Sequence, residues 1–522
     1  MILRLAADRK WVYWVPLGVF MLLCVYRSLN YPLHDFGNYY FGSYFFLKGE
    51  FGKDLYDPVV FNEKIASDGF EHVWLSYAPN PPFTALLFVP FALLPPFAAK
   101  VLFNLLTIAL FTSSYYRLAR YLSLDSRVAA FIPFVFLVPF YNGVLFGQVY
   151  LLMFFFLVEG YLALVMGKVY KVSILWSLAI LLKIFPAILF LYLLLRKEYK
   201  VFWYLASGCA LLFFATLWLH GIDVWLFFLK SVLSKAVRGE ATAATYIASY
   251  QSVAMLLKFL FVGNPVDNPF PLVNSPLAFI ALMVLFKALI LVCLVFATGS
   301  SDTHRYRAWA LWITASVLLS AYGSTYSCVL LIIPLVAIYD TKRTFILLSL
   351  AMLLLINVPL KALSFLPVFL QFPRLLGIAM VFILIVVTIR PVVSWKVPAL
   401  CLLLVALPEV LSSPKKDDNQ YVFRDGQQAM IMDFRLMNNV LTYRYWSPDG
   451  PKEMVTDFKA APAIEQSVEV SGGQIFLNGR QITFGADNKR QPLATSSGVV
   501  YLSDEDRGYG FYAFKIIKPS MP

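Results

Sequence analysis

The sequence predicts an all-α polytopic membrane protein followed by a small β-rich soluble domain. Of its 522 residues, 60% are hydrophobic and 14% are charged, a balance far outside that of soluble globular domains. Apolar runs recur up to residue 411, after which the composition turns polar and apolar residues alternate as in strands. We therefore assign residues 1–411 to a transmembrane domain and residues 412–522 to an extracytoplasmic β-rich domain.

About 13 transmembrane helices are predicted, because lipid forces the backbone groups of each apolar run to pair within a helix. The runs cover residues 11–28, 99–116, 128–140, 149–166, 172–183, 185–195, 201–219, 276–297, 308–323, 326–339, 344–358, 375–389 and 395–411.

The short basic loops predict the orientation of these helices. With a cytoplasmic N-terminus, every one of them falls on the cytoplasmic side, as the positive-inside rule requires. The other face then receives the tail and residues 29–98, 141–148, 220–275 and 359–374. The 13 basic and 13 acidic residues after residue 411 cancel, so the net charge of +13 belongs to the membrane domain. It indicates topology and no nucleic-acid partner.

Two stretches are too short for straight crossings. We interpret residues 172–195, with Lys183 and Pro186 in the middle, as a hairpin of two short helices. A single kinked span is the alternative, but it would move the next basic loop to the outer face. The segment "PPFTALLFVPFALLPP" in the first outer loop is bounded by proline pairs and predicts an interfacial or re-entrant helix.

The tail reads as strands joined by tight turns. Asn478–Gly479 lies between alternating apolar residues and predicts a hairpin. The sequence "SDEDR", residues 503–507, is predicted to be an exposed acidic turn, with ligand or partner binding as the alternative. We find no catalytic constellation in this domain.

No cofactor is expected. The five cysteines all lie in apolar runs, where they behave as small hydrophobic residues and offer no metal-ligand spacing. No glycine-rich phosphate loop joins a strand to a helix, so no nucleotide-sugar site is expected. Nothing requires a divalent metal ion. Asp54 and Asp57 could bind one together with Asp35, but a simple turn is the favoured explanation of their spacing.

The first outer loop carries the richest polar chemistry. Residues 33–58, "LHDFGNYYFGSYFFLKGEFGKDLYDP", crowd aromatic rings around Asp35. Rings stack on pyranose faces, a carboxylate accepts a proton from a hydroxyl, and Lys or Arg neutralises a phosphate. Long structured loops are usually functional. The pattern predicts a sugar and phosphate site, although a merely solvated or paired acid is the alternative for Asp35.

Several motifs occur in an order that resembles the C superfamily (GT-C) of membrane glycosyltransferases, most of all family 87, whose members use polyprenyl-phosphate mannose. They are Asp35 before a Tyr-rich helix, "GKDLYDP", "YAPNPPFTALLFVPFALLP", Gly147–Gln148 and "LLKIFPAILFLYLLLRKEYK". The likeness spans roughly residues 10–260. It implies a GT-C-like fold with interfacial helices over a membrane cavity. It also implies a bacterial inner-membrane protein of the cell envelope, whose active site and C-terminal domain face the periplasm.

The same resemblance implies an inverting transferase that moves mannose, or another hexose or pentose, from a polyprenyl-phosphate donor to a lipid or glycan acceptor. Asp35 corresponds to the family's essential acid and is expected to be the general base, a role typically worth about 10²–10⁴ in rate. Residues expected to bind the sugar or acceptor are His34, Tyr39, Tyr40, Tyr77, Gln148 and Gln251. For His34 a structural role, and for Gln251 a place in a capped helix start, are the alternatives.

A lysine within an apolar run marks the expected phosphate site. Such a residue costs about 2.5–3.5 kcal/mol on membrane-insertion scales and is usually functional. We expect Lys183 to bind the donor phosphate, with Lys100 and Arg374 as further candidates; snorkelling at the hairpin turn is the alternative for Lys183. Glu159, in the cytoplasmic half, is expected to form a structural ion pair or hydrogen bond.

Two other functional classes fit the composition. A transporter or flippase for a lipid-linked or anionic substrate suits many helices and buried cations, but the sequence shows no internal repeat. A membrane-anchored scaffold whose β domain binds a partner leaves the aromatic outer loop and Lys183 unexplained.

Overall fold

The computed structural model describes residues 9–240, 244–264, 267–299, 305–389, 396–411, 417, 419–421, 430–459 and 461–518. The chain is helical up to Leu411 and forms strands from Asn419 onward. A mostly helical protein with a β-rich C-terminal region is therefore confirmed.

The helices vary widely in length. The α-helices of the described ranges span Val15–Leu29, Asp35–Leu47, Pro58–Ser67, Phe83–Leu87, Val89–Ala92, Pro96–Tyr121, Ser126–Phe131, Leu137–Phe146, Tyr150–Val165, Val169–Leu182, Leu189–Leu195, Tyr199–His220, Ile222–Phe227, Ser234–Val237, Val253–Phe261, Pro276–Thr298, Arg305–Leu318, Ile332–Val336, Lys342–Asn357, Pro373–Ile389 and Lys396–Leu411. Short 3₁₀ turns cover Arg9–Trp14, Lys53–Tyr56, Ile132–Phe136, Phe185–Ile188, Thr325–Leu331, Leu360–Leu363 and Val368–Gln371, and Phe228–Leu233 is π-helical.

Five helical segments of the described chain are long and apolar enough to cross a membrane by themselves: Val12–Leu29, Pro96–Tyr121, Ser126–Phe146, Tyr199–His220 and Pro276–Thr298. Further apolar helices have 10–17 residues, shorter than the roughly 20 residues that a straight crossing needs. The chain is a membrane protein, and the count of thirteen crossings stays a prediction.

Ion pairs join neighbouring basic loops that were predicted to share one face. Arg117 and Lys171 both pair with Glu159, at 2.7 and 2.8 Å. Arg305 pairs with Glu198 at 2.6 Å. The carboxylate of Glu159 is buried and its charge is met by two cations, so the structural role predicted for it is confirmed.

The chain between residues 169 and 196 makes the predicted hairpin. Helix Val169–Leu182 ends at Lys183, whose backbone is extended. The chain then returns through Leu189–Leu195 to Arg196, and the guanidinium of Arg196 donates to the carbonyl oxygen of Thr298 at 3.4 Å. Lys183 bonds to Asn80 of the first outer loop, whereas Arg196 meets the last residue of helix Pro276–Thr298.

The proline-bounded outer segment forms two short helices, Phe83–Leu87 and Val89–Ala92, separated at Phe88. Neither can cross a bilayer. They pack on helix Asp35–Leu47, where Ser43 donates to the carbonyl oxygen of Ala85 at 2.6 Å. This agrees with the prediction that the segment does not cross the membrane, and its interfacial position stays a prediction.

The tail contains ten strands in its described residues: β1 (Asn419–Tyr421), β2 (Ile431–Met437), β3 (Val440–Ser447), β4 (Gly450–Lys459), β5 (Val468–Ser471), β6 (Gln474–Leu477), β7 (Arg480–Gln481), β8 (Lys489–Thr495), β9 (Gly498–Ser503) and β10 (Ala513–Ile517). They form three antiparallel sheets, ordered β1-β10-β9-β8, β2-β3-β4 and β5-β6-β7. The β6–β7 pair turns at Asn478–Gly479, both with positive φ, as predicted.

The prediction that "SDEDR" is an exposed turn is wrong. Asp504 is 0% exposed, and Glu505 and Arg507 are also buried. The charges are met internally, since Asp504 pairs with Lys235 at 2.9 Å and Glu505 with Lys515 at 3.0 Å. The sequence gives no sign of this burial because Lys235 is far away in the chain.

Candidate active site

A cavity of about 570 Å³ lies at the outer-loop end of the helical region. Its lining comes from five parts of the chain: the first outer loop, the ends of membrane helices, residues 233–237 with Tyr250, residues 319–326, and one residue of the β domain. Five of the predicted site residues line it, namely His34, Asp35, Tyr39, Gln148 and Lys183.

Asp35 is the first residue of helix Asp35–Leu47. Free backbone N–H groups at a helix N-terminus favour a negative charge there. The preceding residue, His34, has a φ of 49°, a strained value for a side-chain-bearing residue. Its Nδ1 lies 3.2 Å from Oδ1 of Asp35, and its ring stacks on Phe146 with centroids 4.1 Å apart. The side chain of Asp35 remains 23% exposed towards the cavity.

The "GQ" motif brings an amide to this carboxylate. Gly147 ends helix Leu137–Phe146 in the left-handed region, with φ 67°. A Cβ there would lie 2.5 Å from Cβ of Phe36, so both the turn and the close approach require glycine. The next residue, Gln148, is buried and donates from Nε2 to Oδ2 of Asp35 at 2.5 Å.

Tyr39 fixes the orientation of that amide. Its hydroxyl donates to Oε1 of Gln148 at 2.9 Å. Burial raises the pKa of Tyr39 well above its usual value, and the charge of Asp35 adds to the effect. The phenol therefore stays protonated and remains a donor, so Nε2 of Gln148 must face Asp35.

Lys183 enters the same cavity from the end of helix Val169–Leu182. Its Nζ donates to Oδ1 of Asn80 at 3.0 Å and lies 5.5 Å from the ring centroid of Tyr39. Within the described residues no carboxylate forms an ion pair with it. Tyr39 thus links the ammonium to the Gln148–Asp35 pair, and the positive charge remains available to an anionic ligand.

The other two predicted cations do not line this cavity in the described structure. Lys100 is 1% exposed and donates to the carbonyl oxygens of Tyr31 and Pro32, at 3.4 and 2.7 Å. It holds the chain that leads into Asp35. Arg374, also buried, donates to the carbonyl oxygen of Ile356 at 2.9 Å and closes the end of a neighbouring helix.

Tyr40 and Tyr77 support the walls of the outer loop. The hydroxyl of Tyr40 donates to the carbonyl oxygen of Leu94 at 2.8 Å, and that of Tyr77 to Pro81 at 3.1 Å. Both side chains are almost fully buried. Both hydroxyls therefore bond to the backbone, and neither side chain lines the cavity in the described structure.

Gln251 also contacts backbone groups. Its Nε2 donates to the carbonyl oxygen of Gln371 at 2.8 Å, and its Oε1 accepts from the N–H of Arg374 at 3.1 Å. The neighbouring Ser252 caps helix Val253–Phe261, which agrees with the alternative of a capped helix start. Its other neighbour, Tyr250, lines the cavity instead.

Most of the other lining residues were not among the sequence candidates; they include Trp74, Asn80, Tyr150 and Phe511. Asn80 lies in the loop "SYAPNPP", whose polar residue among prolines was a usable signal. The indole of Trp74 is 40% exposed. Phe511 comes from the β domain, and no local pattern in the sequence connects it with a membrane cavity.

The apolar helices and the polar cavity at one end of them define a membrane protein with a candidate site for a polar ligand. The model of Glycosyltransferase family 87 matches residues 78–321. The resemblance to family 87 is thereby confirmed over that stretch, and it indicates a glycosyltransferase. The match includes Lys100, Gln148, Lys183 and Gln251 and begins after Asp35. No curated protein and no solved structure gives a significant match to the chain.

Proposed function

We propose that the protein transfers a sugar, mannose or a related hexose or pentose, from a polyprenyl-phosphate donor to a lipid or glycan acceptor. The reaction takes place at the extracytoplasmic face of a bacterial inner membrane and inverts the anomeric carbon. The observation that carries the proposal is that Asp35 and Lys183 line one cavity at one end of the apolar helices, in a chain matched by a glycosyltransferase family.

The reaction joins three groups in this cavity. The acceptor hydroxyl oxygen attacks the anomeric carbon and forms the new glycosidic bond. The bond between that carbon and the phosphate oxygen breaks, and polyprenyl phosphate leaves with the electron pair. The hydroxyl proton passes to Asp35. A single displacement of this kind inverts the configuration.

Asp35 is suited to be the base in the transition state. A carboxylate is a weak base towards a free alcohol, but the hydroxyl becomes acidic as its oxygen bonds to carbon, so proton transfer then becomes favourable. Gln148 and His34 hold the two carboxylate oxygens in place. The base is thus oriented before the acceptor arrives.

Lys183 is suited to stabilise the leaving group. Its ammonium sits at the end of an apolar helix, where a phosphate carried by a lipid tail would arrive from the bilayer. The interaction gains strength as negative charge grows on the departing phosphate in a site with little water. Asn80 and Tyr39 hold the ammonium without neutralising it.

Substitution of Asp35 tests the proposal. Purified protein in lipid nanodiscs would be given radiolabelled polyprenyl-phosphate mannose and a panel of octyl glycosides. We expect Asp35→Asn to lower the rate of transfer by about 10²-fold or more. Asp54→Asn, which removes an exposed partner of Lys64, is the matched control and should leave the rate unchanged. Near wild-type transfer by Asp35→Asn would refute the base assignment.

The proposed face needs a separate test. Glu50 is exposed in the first outer loop and Lys168 is exposed in a basic loop of the other end. In intact cells, a membrane-impermeant maleimide should label Glu50→Cys and should not label Lys168→Cys, with the unsubstituted chain as the background. The reverse labelling pattern would place the cavity at the cytoplasm and exclude the function proposed here.

A further inference from the structure

The C-terminal domain reaches into the cavity that holds Asp35 and Lys183. Phe511, between β9 and β10, is one of the lining residues. Its ring packs in a cluster with Val59 of helix Pro58–Ser67 and Trp446 of β3. A residue of the β domain is therefore part of the cavity wall and is held there by apolar contacts with the first outer loop.

A buried ion pair fastens the domain to a second wall. Nζ of Lys235 lies 2.9 Å from Oδ1 of Asp504, and it also donates to the carbonyl oxygens of Asp504 and Arg507, at 2.7 and 3.2 Å. The two residues are 6% and 0% exposed, so loss of either partner would leave an uncompensated buried charge. The residues that follow Lys235, Ala236 and Val237, line the cavity.

A third contact joins the domain to the first outer loop. Arg490 pairs with Asp57 at 2.7 Å, and Asp57 also caps helix Pro58–Ser67. Gly510 has a φ of +78°, and a Cβ on it would lie 2.5 Å from Cδ of Pro58. Only glycine permits this approach, so the turn between β9 and β10 is built to dock here.

In the proposed orientation, the domain closes the side of the cavity that faces away from the bilayer. A polyprenyl tail needs an apolar environment, so the donor is expected to enter beside Lys183 and Phe185, between the apolar helices Val169–Leu182 and Leu189–Leu195. Trp74, Val237 and Phe511 belong to segments that are predicted to lie outside the membrane, where a polar saccharide would arrive from water. The half-exposed indole of Trp74 offers an apolar ring face to such a sugar.

We infer that the C-terminal β domain is the acceptor wall of the site: docked through Lys235–Asp504 and Asp57–Arg490, it places Phe511 beside the saccharide acceptor. This inference rests on the proposed function and adds that the β domain helps to bind the saccharide acceptor. It assigns a role in acceptor binding to a domain that carries no catalytic constellation of its own.

Kinetics with two variants and two matched controls test the inference. Phe511→Ala removes the ring from the wall, and Asp504→Asn breaks the ion pair. The controls act on the same domain away from the cavity: Phe484→Ala removes an exposed ring, and Glu453→Gln removes the exposed partner of Arg435. The full-length protein in nanodiscs would be assayed with polyprenyl-phosphate mannose and the octyl glycosides. We expect both variants to raise the acceptor KM by about tenfold or more, with the donor KM within about twofold of wild type.

Hydrogen exchange of residues 504–511 and 228–237 reports docking without any need for activity. Exchange should accelerate in Asp504→Asn and stay unchanged in both controls. An unchanged acceptor KM in Phe511→Ala, or in an Asp504→Asn protein whose exchange shows loosened docking, would overturn the inference and leave the proposed function standing. If the wild-type protein transfers no sugar from the donor to any glycoside, the proposed function fails. The acceptor role of the β domain then fails too, even if hydrogen exchange shows that the domain is docked.

Discussion

Gln148 donates a hydrogen bond of 2.5 Å to the carboxylate of Asp35 and accepts one of 2.9 Å from the hydroxyl of Tyr39. The amide is held from both sides and cannot exchange its oxygen and nitrogen without losing both bonds. Gln148 was predicted to bind sugar or acceptor; its contacts favour a role in positioning the base. That role leads to a kinetic signature that differs from lost substrate binding.

Substituting Gln148 should lower kcat more than it changes either KM. Gln148→Ala frees the carboxylate to rotate, and we expect kcat to fall about 10- to 100-fold. Gln148→Glu places a second carboxylate beside the first, so the pair holds a proton to higher pH. The rising limb of the pH–rate profile should therefore shift to higher pH. Steady-state kinetics across pH measure both effects. A Gln148→Glu profile identical to that of the wild type would contradict the positioning role.

Lys183 and Lys100 should separate into binding and stability roles. Lys183→Met removes the ammonium from the cavity, and we expect the donor KM to rise about tenfold or more. Lys183→Arg should restore much of the affinity because the charge is kept. Lys100→Met instead removes two bonds to backbone carbonyls and should lower the melting temperature with little change in donor KM. Equal donor KM values in Lys183→Met and wild type would remove Lys183 from the phosphate site.

Local sequence patterns predicted much of this site. The apolar runs predicted the helical region, and the proline pairs marked the interfacial segment. The position of Lys183 inside an apolar run predicted a turn between two helices, and this turn lines the cavity. Gly147 next to Gln148 was informative because its left-handed turn and its contact with Phe36 both need glycine. These features depend on neighbours in the chain.

Long-range contacts explain what the sequence did not predict. Arg374 carries a charge that suits phosphate equally well, and only the fold shows that its donors meet backbone carbonyls. The acidic turn at Asp504 looked exposed because its partner Lys235 lies in another domain. Phe511 reaches the cavity through the same docking. In each case the partner is distant in sequence, so periodicity and motif spacing carry no information about it.

Arg374 should prove important for stability and dispensable for donor binding. Its guanidinium donates to the carbonyl oxygens of Ile356 and Val358 and to the hydroxyl of Thr325. Arg374→Met leaves these acceptors unpaired, and each buried unsatisfied group costs about 1–3 kcal/mol. Thermal unfolding in nanodiscs should show a lower midpoint than for Lys361→Met, which changes an exposed residue nearby. A normal midpoint combined with a raised donor KM would return Arg374 to the phosphate site.

The Lys235–Asp504 pair should make the stability of the docked domain depend on pH. Burial raises the pKa of the Asp504 carboxyl above its ordinary value, and the charge of Lys235 opposes that rise. A group with a raised pKa in the folded state stabilises the fold fully below its unfolded pKa of about 3.9 and loses that contribution as the pH rises through the folded pKa. Lys235→Met removes the opposing charge, so the folded pKa rises further. The melting midpoint should then fall more steeply with pH than in wild type.

Thermal unfolding in nanodiscs between about pH 4 and about pH 8 would measure this slope, because that range lies above the unfolded pKa of a carboxyl group. The double variant Lys235→Met/Asp504→Asn carries no titrating group at this contact and should lose the extra slope while keeping similar side-chain volumes. Parallel melting curves for wild type and Lys235→Met across the whole range would show that Lys235 does not hold the charge of Asp504. The docking of the β domain would then depend on Asp57–Arg490, on the bonds of Lys235 to backbone carbonyls and on the apolar contacts around Phe511.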